Sequence, residues 1–226
     1  MELFLLTLLG LVLGSFISAI TYRIPRGLGF IKGRSFCDNC KKSLSWFDNI
    51  PLFSFLWYRG NSRCCNQKIS IRYPLIEIAS VLGIIFLYPN FVLILLFLLT
   101  FSILIIDIEH QIIPDELSWL VLFFSLLSPI SYPLFSSLFA GFFSSLLLLT
   151  LYLITRGKGM GLGDVKLSIA LGMWLGVEKS MTWLMTAFII GGIVAGVLLL
   201  LKRANLKTKI AFGPFLIIAF WIVLLI

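Results

Sequence analysis

Apolar runs of about twenty residues, the length a helix needs to cross a ~30 Å hydrocarbon layer, alternate along the chain with short polar breaks. The first run is Leu3 to Ile20; the others fall near 73–89, 91–107, 116–132, 134–154, 165–177, 181–201 and 210–226. Turns are expected at Tyr88-Pro89-Asn90, at Ser128-Pro129-Ile130-Ser131-Tyr132-Pro133 and at Glu178-Lys179. The pattern predicts an all-α polytopic membrane protein with about eight transmembrane helices. A single long polar stretch, residues 23–72, interrupts it between the first and second helices. The expected organisation is therefore a first transmembrane helix over 1–22, a small Cys-containing domain over 23–72, and a transmembrane domain over 73–226.

Composition agrees with this pattern, since 60% of residues are hydrophobic, only 12% are charged, and mean hydropathy is +1.07. The formal net charge of +8 would raise the question of nucleic acid in a soluble protein. Here the Lys and Arg residues gather in loops on one side, as cytoplasmic loops of membrane proteins do, so a lipid bilayer and no nucleic acid is the expected partner. The 23–72 stretch holds more than half of them and is placed in the cytoplasm. Glu2 precedes the first run and Arg23 and Arg26 follow it, the reverse of a cleavable signal peptide, so that run is read as a retained helix with its N-terminus outside.

Two acids stand out against this background. Asp164 ends the glycine-rich stretch Gly159-Met160-Gly161-Leu162-Gly163-Asp164-Val165-Lys166 at the mouth of a predicted span. Asp107 closes an unbroken apolar run. Two predicted crossings separate them, which returns the chain to the same face and sets both acids at similar depth. Carboxylates sharing a poorly solvated place cannot both ionise cheaply and can hold one proton between them, the arrangement that lets one act as general base and the other as general acid. The glycines would let the backbone unwind beside an extended peptide. The plainer alternative is that Asp164 only caps its helix and Asp107 is only a boundary acid. A phosphate loop fits poorly, because Lys166 does not follow the last glycine with a Ser or Thr behind it.

Asp107-Ile108-Glu109-His110-Gln111-Ile112-Ile113-Pro114-Asp115, followed by Gly159 to Leu167, resembles the bacterial type IV prepilin peptidases, membrane aspartic proteases with a Gly-x-Gly-Asp motif. Gly14-Ser15-Phe16, Asn49-Ile50-Pro51, Ile69-Ser70-Ile71-Arg72-Tyr73-Pro74 with Glu77, and Phe212-Gly213-Pro214 resemble the family's other blocks in the family's order. The resemblance implies that Asp107 and Asp164 are the catalytic pair in a multi-pass protein of the bacterial inner membrane. It implies that prepilins or pseudopilins, of type IV pili or type II secretion, are cut at the cytoplasmic face after a Gly ending a short basic leader. N-methylation of the new N-terminus from S-adenosylmethionine is implied as well. Glu109 and Asp115 are read as supporting groups, and His110 as a polar neighbour.

Cys37, Cys40, Cys64 and Cys65 lie in the 23–72 stretch. Four cysteines in a reducing compartment point to metal rather than disulfides, and zinc would tie together a segment too small for a core of its own. The family pattern has two Cys-x-x-Cys pairs. Alignment on Ile69 to Pro74 puts Cys65 at the last family cysteine and Ser62 at the third, leaving Cys64 displaced. Tyr58-Arg59-Gly60-Asn61 also departs from the family's usual Arg-Gly-Lys, which keeps open a peptidase without methylation. A membrane scaffold or transporter, with the acids binding protons or cations, is the alternative from another class.

Overall fold

The computed structural model describes residues 1–29, 35–37, 39–127, 133–202, 208 and 210–226. The predicted turn over 128–133, apart from Pro133, most of the basic loop over 202–209, and Asp38 lie outside the described residues. Among the described residues the chain is helical, with two isolated antiparallel bridges and no longer strands. The helices are α1 (Glu2–Arg23), α2 (Phe53–Trp57), α3 (Arg72–Leu87), α4 (Phe91–His110), α5 (Asp115–Leu127), α6 (Leu134–Ile154), α7 (Leu162–Leu200) and α8 (Gly213–Leu225). Four are long and apolar enough to cross a membrane: α1 with the short turn that extends it to Arg26, α4, α6 and α7; α8 is apolar but shorter. In hydrocarbon each backbone donor and acceptor must be satisfied within its own segment, which is why apolar runs of this kind become helices.

Two compact units divide the chain, Met1–Leu98 and Leu99–Ile226. In the first, α1 packs on α3 through two glycines. A Cβ at Gly10 would fall 2.7 Å from the Val81 Cα, and one at Gly14 would fall 2.7 Å from the Glu77 Cα. Small residues at such a crossing let backbones approach where lipid supplies no hydrophobic drive. The Arg72 guanidinium donates to the Thr21 hydroxyl at 2.7 Å and ties the start of α3 to the end of α1.

In the second unit α6 packs on α7 along Ser137, Ala140, Gly141, Ser144 and Ser145, all buried. A Cβ at Gly141 would meet the Ile169 carbonyl oxygen at 2.6 Å. The spans predicted separately over 165–177 and 181–201 are two helical segments, numbered together as α7, that meet at Gly176, whose φ of 70° and ψ of 177° are not helical. The Ser180 hydroxyl lies 3.5 Å from the Gly172 carbonyl oxygen, eight residues back. A straight helix would separate such positions by about 12 Å, so the chain bends sharply there. Beyond the break the Trp183 indole donates to the Leu216 carbonyl of α8 at 2.8 Å, and the Trp221 indole donates to the Thr100 hydroxyl of α4 at 3.0 Å.

The α1–α3 contact makes a direct prediction. Gly14→Leu overfills a crossing with no slack and is expected to destabilise the first unit by about 1–3 kcal/mol. The measurement is the thermal unfolding midpoint of the protein in detergent; an unchanged midpoint would contradict the close approach.

Candidate active site and cysteine cluster

Asp107 sits in the last turn of α4 and Asp164 in the first turn of α7, and both are nearly inaccessible, 4% and 5% exposed. The structure brings the two together: their carboxylates are close enough for their charges to interact. Asp164 Oδ2 accepts the Gly161 backbone N–H at 3.1 Å, so this residue does cap its helix. The cap uses one oxygen. Asp164 Oδ1 and Asp107 Oδ2 are buried and without hydrogen-bond partners among the described residues. Buried polar atoms are otherwise nearly always satisfied, so a pair of orphaned carboxylate oxygens marks a place kept for something else.

Two further residues shape the pair. The backbone N–H of Gly213, which opens α8, is directed at the Asp107 carboxylate, and a side chain at 213 would collide with Asp107 Oδ2. Pro214 follows in the helix's first turn, where its missing N–H costs nothing. Ile113, between α4 and α5, packs against both glycines: its Cβ would lie 2.9 Å from a Cβ at Gly163, and its Cδ1 3.1 Å from one at Gly213. Outside them the Lys166 ammonium meets both Asp115 oxygens at 2.8 and 2.9 Å, joining the start of α5 to the first turn of α7. That pair is half exposed, so its value is in register more than in stability. His110 lies 4.0 Å from Glu109. The Asp115–Lys166 pair and the place of Gly213 beside Asp107 were not evident from sequence; the Gly-Pro at the start of a short apolar helix was the available signal.

The cysteines converge in the first unit, with all four sulfurs within 4.8 Å of one another. The separation between Cys37 and Cys65 is 3.7 Å and that between Cys40 and Cys64 is 3.0 Å. Zinc–sulfur bonds of ~2.3 Å at tetrahedral angles put sulfurs roughly 3.8 Å apart, so the donor set and its spacing fit a tetrahedral thiolate site. Two similar turns build the cluster. In one, Cys37 N–H donates to Lys42 and Lys41 N–H to Cys37; in the other, Ser62 N–H donates to Gln67 and Asn66 N–H to Ser62. Lys41 and Asn66 both have positive φ, 58° and 56°. Isolated bridges, Phe36 with Ser43 and Asn61 with Lys68, close each turn. Ser62 thus stands where Cys37 stands in the first turn, and Cys65 where Cys40 stands. Cys64, two residues beyond Ser62 and 3.1 Å from its hydroxyl, brings the fourth sulfur. Backbone N–H at Cys40 and the Ser62 hydroxyl lower the Cys37 thiol to about 6, favouring the thiolate that a metal takes.

Two family models match the chain, one over each part. Residues 8–91 match the bacterial peptidase A24 N-terminal domain, and residues 93–196, which contain both acids, match the type IV leader peptidase family. A protein of Pectobacterium carotovorum subsp. carotovorum named prepilin leader peptidase/N-methyltransferase is 34% identical, over 94% of this chain and 89% of its own length. Proteins of the same name from Aeromonas salmonicida and Pseudomonas aeruginosa are each 33% identical, over 98% and 96% of this chain and 89% and 88% of their own lengths. No solved structure matches.

Proposed function

The chain belongs to the type IV leader peptidase family, and on that premise we propose that it removes the leader of prepilins or pseudopilins with Asp107 and Asp164 as the catalytic pair. The observation that carries the reading is the burial of two carboxylates near enough for their charges to interact, each with an oxygen left unpartnered among the described residues. One carboxylate takes a proton from water while its oxygen adds to the scissile carbonyl. The other delivers a proton to the departing amide nitrogen as the carbon–nitrogen bond breaks. Gly213 leaves room for the Asp107 carboxylate, and Gly161 holds one oxygen of Asp164.

In this reading the break at Gly176 divides α7 into two crossings, giving eight in all, and the acid pair faces the cytoplasm of a bacterium across its inner membrane. The substrate is cut after the glycine that ends its basic leader. The new N-terminus is then methylated, with S-adenosylmethionine supplying the methyl group. Cys37, Cys40, Cys64 and Cys65 hold one zinc ion, which fixes the two turns of the first unit against each other.

Asp107→Asn and Asp164→Asn, made singly, are each expected to slow cleavage of a prepilin in membranes by at least ~100-fold while insertion is unchanged. Wild-type cleavage by either variant would overturn the aspartate assignment. Gly213→Ala is expected to lower the same rate by more than ~10-fold, because the added methyl must displace the Asp107 carboxylate. For the metal, elemental analysis of the purified protein should find one zinc per chain, and Cys64→Ser should lower that content although Ser62 is intact. A content unaffected by Cys64→Ser would exclude Cys64 as a ligand.

A further inference from the structure

Ile113 packs against the glycine beside each acid: Gly163 directly precedes Asp164, and Gly213 lies against the Asp107 carboxylate. A Cβ at 163 would stand 2.9 Å from the Ile113 Cβ and 3.4 Å from its Cγ1, and a Cβ at 213 would stand 3.1 Å from its Cδ1. Carbon atoms in contact stand about 3.5–4.0 Å apart, so neither place has room for one more carbon while Ile113 is there. At position 213 the Ile113 Cδ1 crowds the same point as Asp107 Oδ2, one of the two carboxylate oxygens left without a partner among the described residues. Ile113 therefore walls the place where the acids must meet a substrate.

The wall is anchored at both ends. The Gln111 backbone N–H donates to the Asp107 carbonyl at 2.9 Å, and the backbone N–H and the hydroxyl of Ser118 each donate to the Pro114 carbonyl at 3.1 Å. Pro114 confines the residue before it to extended backbone, and branching at Cβ restricts the Ile113 side chain itself. Two residues on, the Asp115 ion pair with Lys166 ties the connection to α7. Ile113 is half-buried, so it reaches from the acid pair toward the surface.

To be cut, a peptide must bring its scissile carbonyl within hydrogen-bond reach of both carboxylates. The residue that owns this carbonyl carries its Cβ only two bonds from the carbonyl carbon, so the Cβ enters the same crowded space. Glycine alone has none. We propose that Ile113 is the specificity-determining residue that makes the site accept glycine, and no larger residue, on the acyl side of the scissile bond. The inference rests on the peptidase reading given above and adds the residue that sets its preference. Glycine is selected here by a clash built against every alternative, with no contact made to glycine itself.

The test measures kcat/KM of the full chain in lipid nanodiscs on two prepilins that differ only in having glycine or alanine before the scissile bond. The wild-type protein is expected to favour the glycine substrate. Ile113→Ala is expected to raise kcat/KM on the alanine substrate by at least ~10-fold, within the ~10–200-fold that a methylene is worth in a fitted pocket. Ile113→Val, which removes only the Cδ1, should move the same rate in the same direction by less. A damaged structure does not gain a rate, so the increase is read independently of stability. Unchanged preference in both variants overturns the role of Ile113 and leaves the peptidase reading standing. Variants that cut neither substrate give Ile113 a purely structural part and overturn the inference as well. A wild-type protein that cuts both substrates equally has no preference for Ile113 to set, which removes the inference alone. A wild-type protein that cuts neither removes the peptidase reading, and the inference with it.

Discussion

Carboxylate oxygens that neither reach water nor find a partner are costly in a helical bundle, and Asp107 and Asp164 each carry one among the described residues. Much of the second unit is arranged around tolerating it. The helix bearing Asp164 begins in a glycine-rich stretch, so backbone and carboxylate can approach without a side chain between them. The helix bearing Gly213 begins where the Asp107 carboxylate needs room. Ile113 then fills the space beside the two glycines with an apolar side chain. A polar residue there would offer the acids a partner and end their availability.

The first unit meets a different problem with similar means. Too little apolar surface exists between α1 and α3 to fold the intervening stretch as a core, so the chain uses hydrogen-bonded turns and four sulfurs. The same economy leaves a cavity beside them. In both units the helices pack through small residues: glycine between α1 and α3, and glycine, alanine and serine between α6 and α7.

Much of this was legible in sequence because hydrophobic length and loop charge are coarse signals that tertiary context rarely overrides. The runs at 3–20, 91–107 and 134–154 became α1, α4 and α6 within a few residues. The apolar patterns near 165–177 and 181–201 were legible as separate segments, but not the way Gly176 joins them, since a single φ of 70° leaves no periodic trace. Asp107 and Asp164 could be paired by counting crossings, because two crossings return a chain to its starting face. Gly213 could not be assigned to Asp107 that way, as its role depends on an approach of tenths of an ångström. The 25-residue correspondence between the turns at Cys37 and Ser62 was present in the sequence, yet with one cysteine replaced by serine it could not be told from chance until Lys41 and Asn66 were seen in the same left-handed conformation.

That substitution carries a lesson for comparing relatives. In an alignment, position 62 reads as a lost cysteine and position 64 as an unrelated one. In space, the sulfur of Cys64 stands 3.1 Å from the Ser62 hydroxyl and 3.0 Å from Cys40. On the zinc reading, the donor has moved along the chain by two residues, and the four sulfurs still lie within 4.8 Å of one another. A column-by-column tally would score this protein as one cysteine short, although a chain can change which residue delivers a sulfur to a small volume, and here four sulfurs share one.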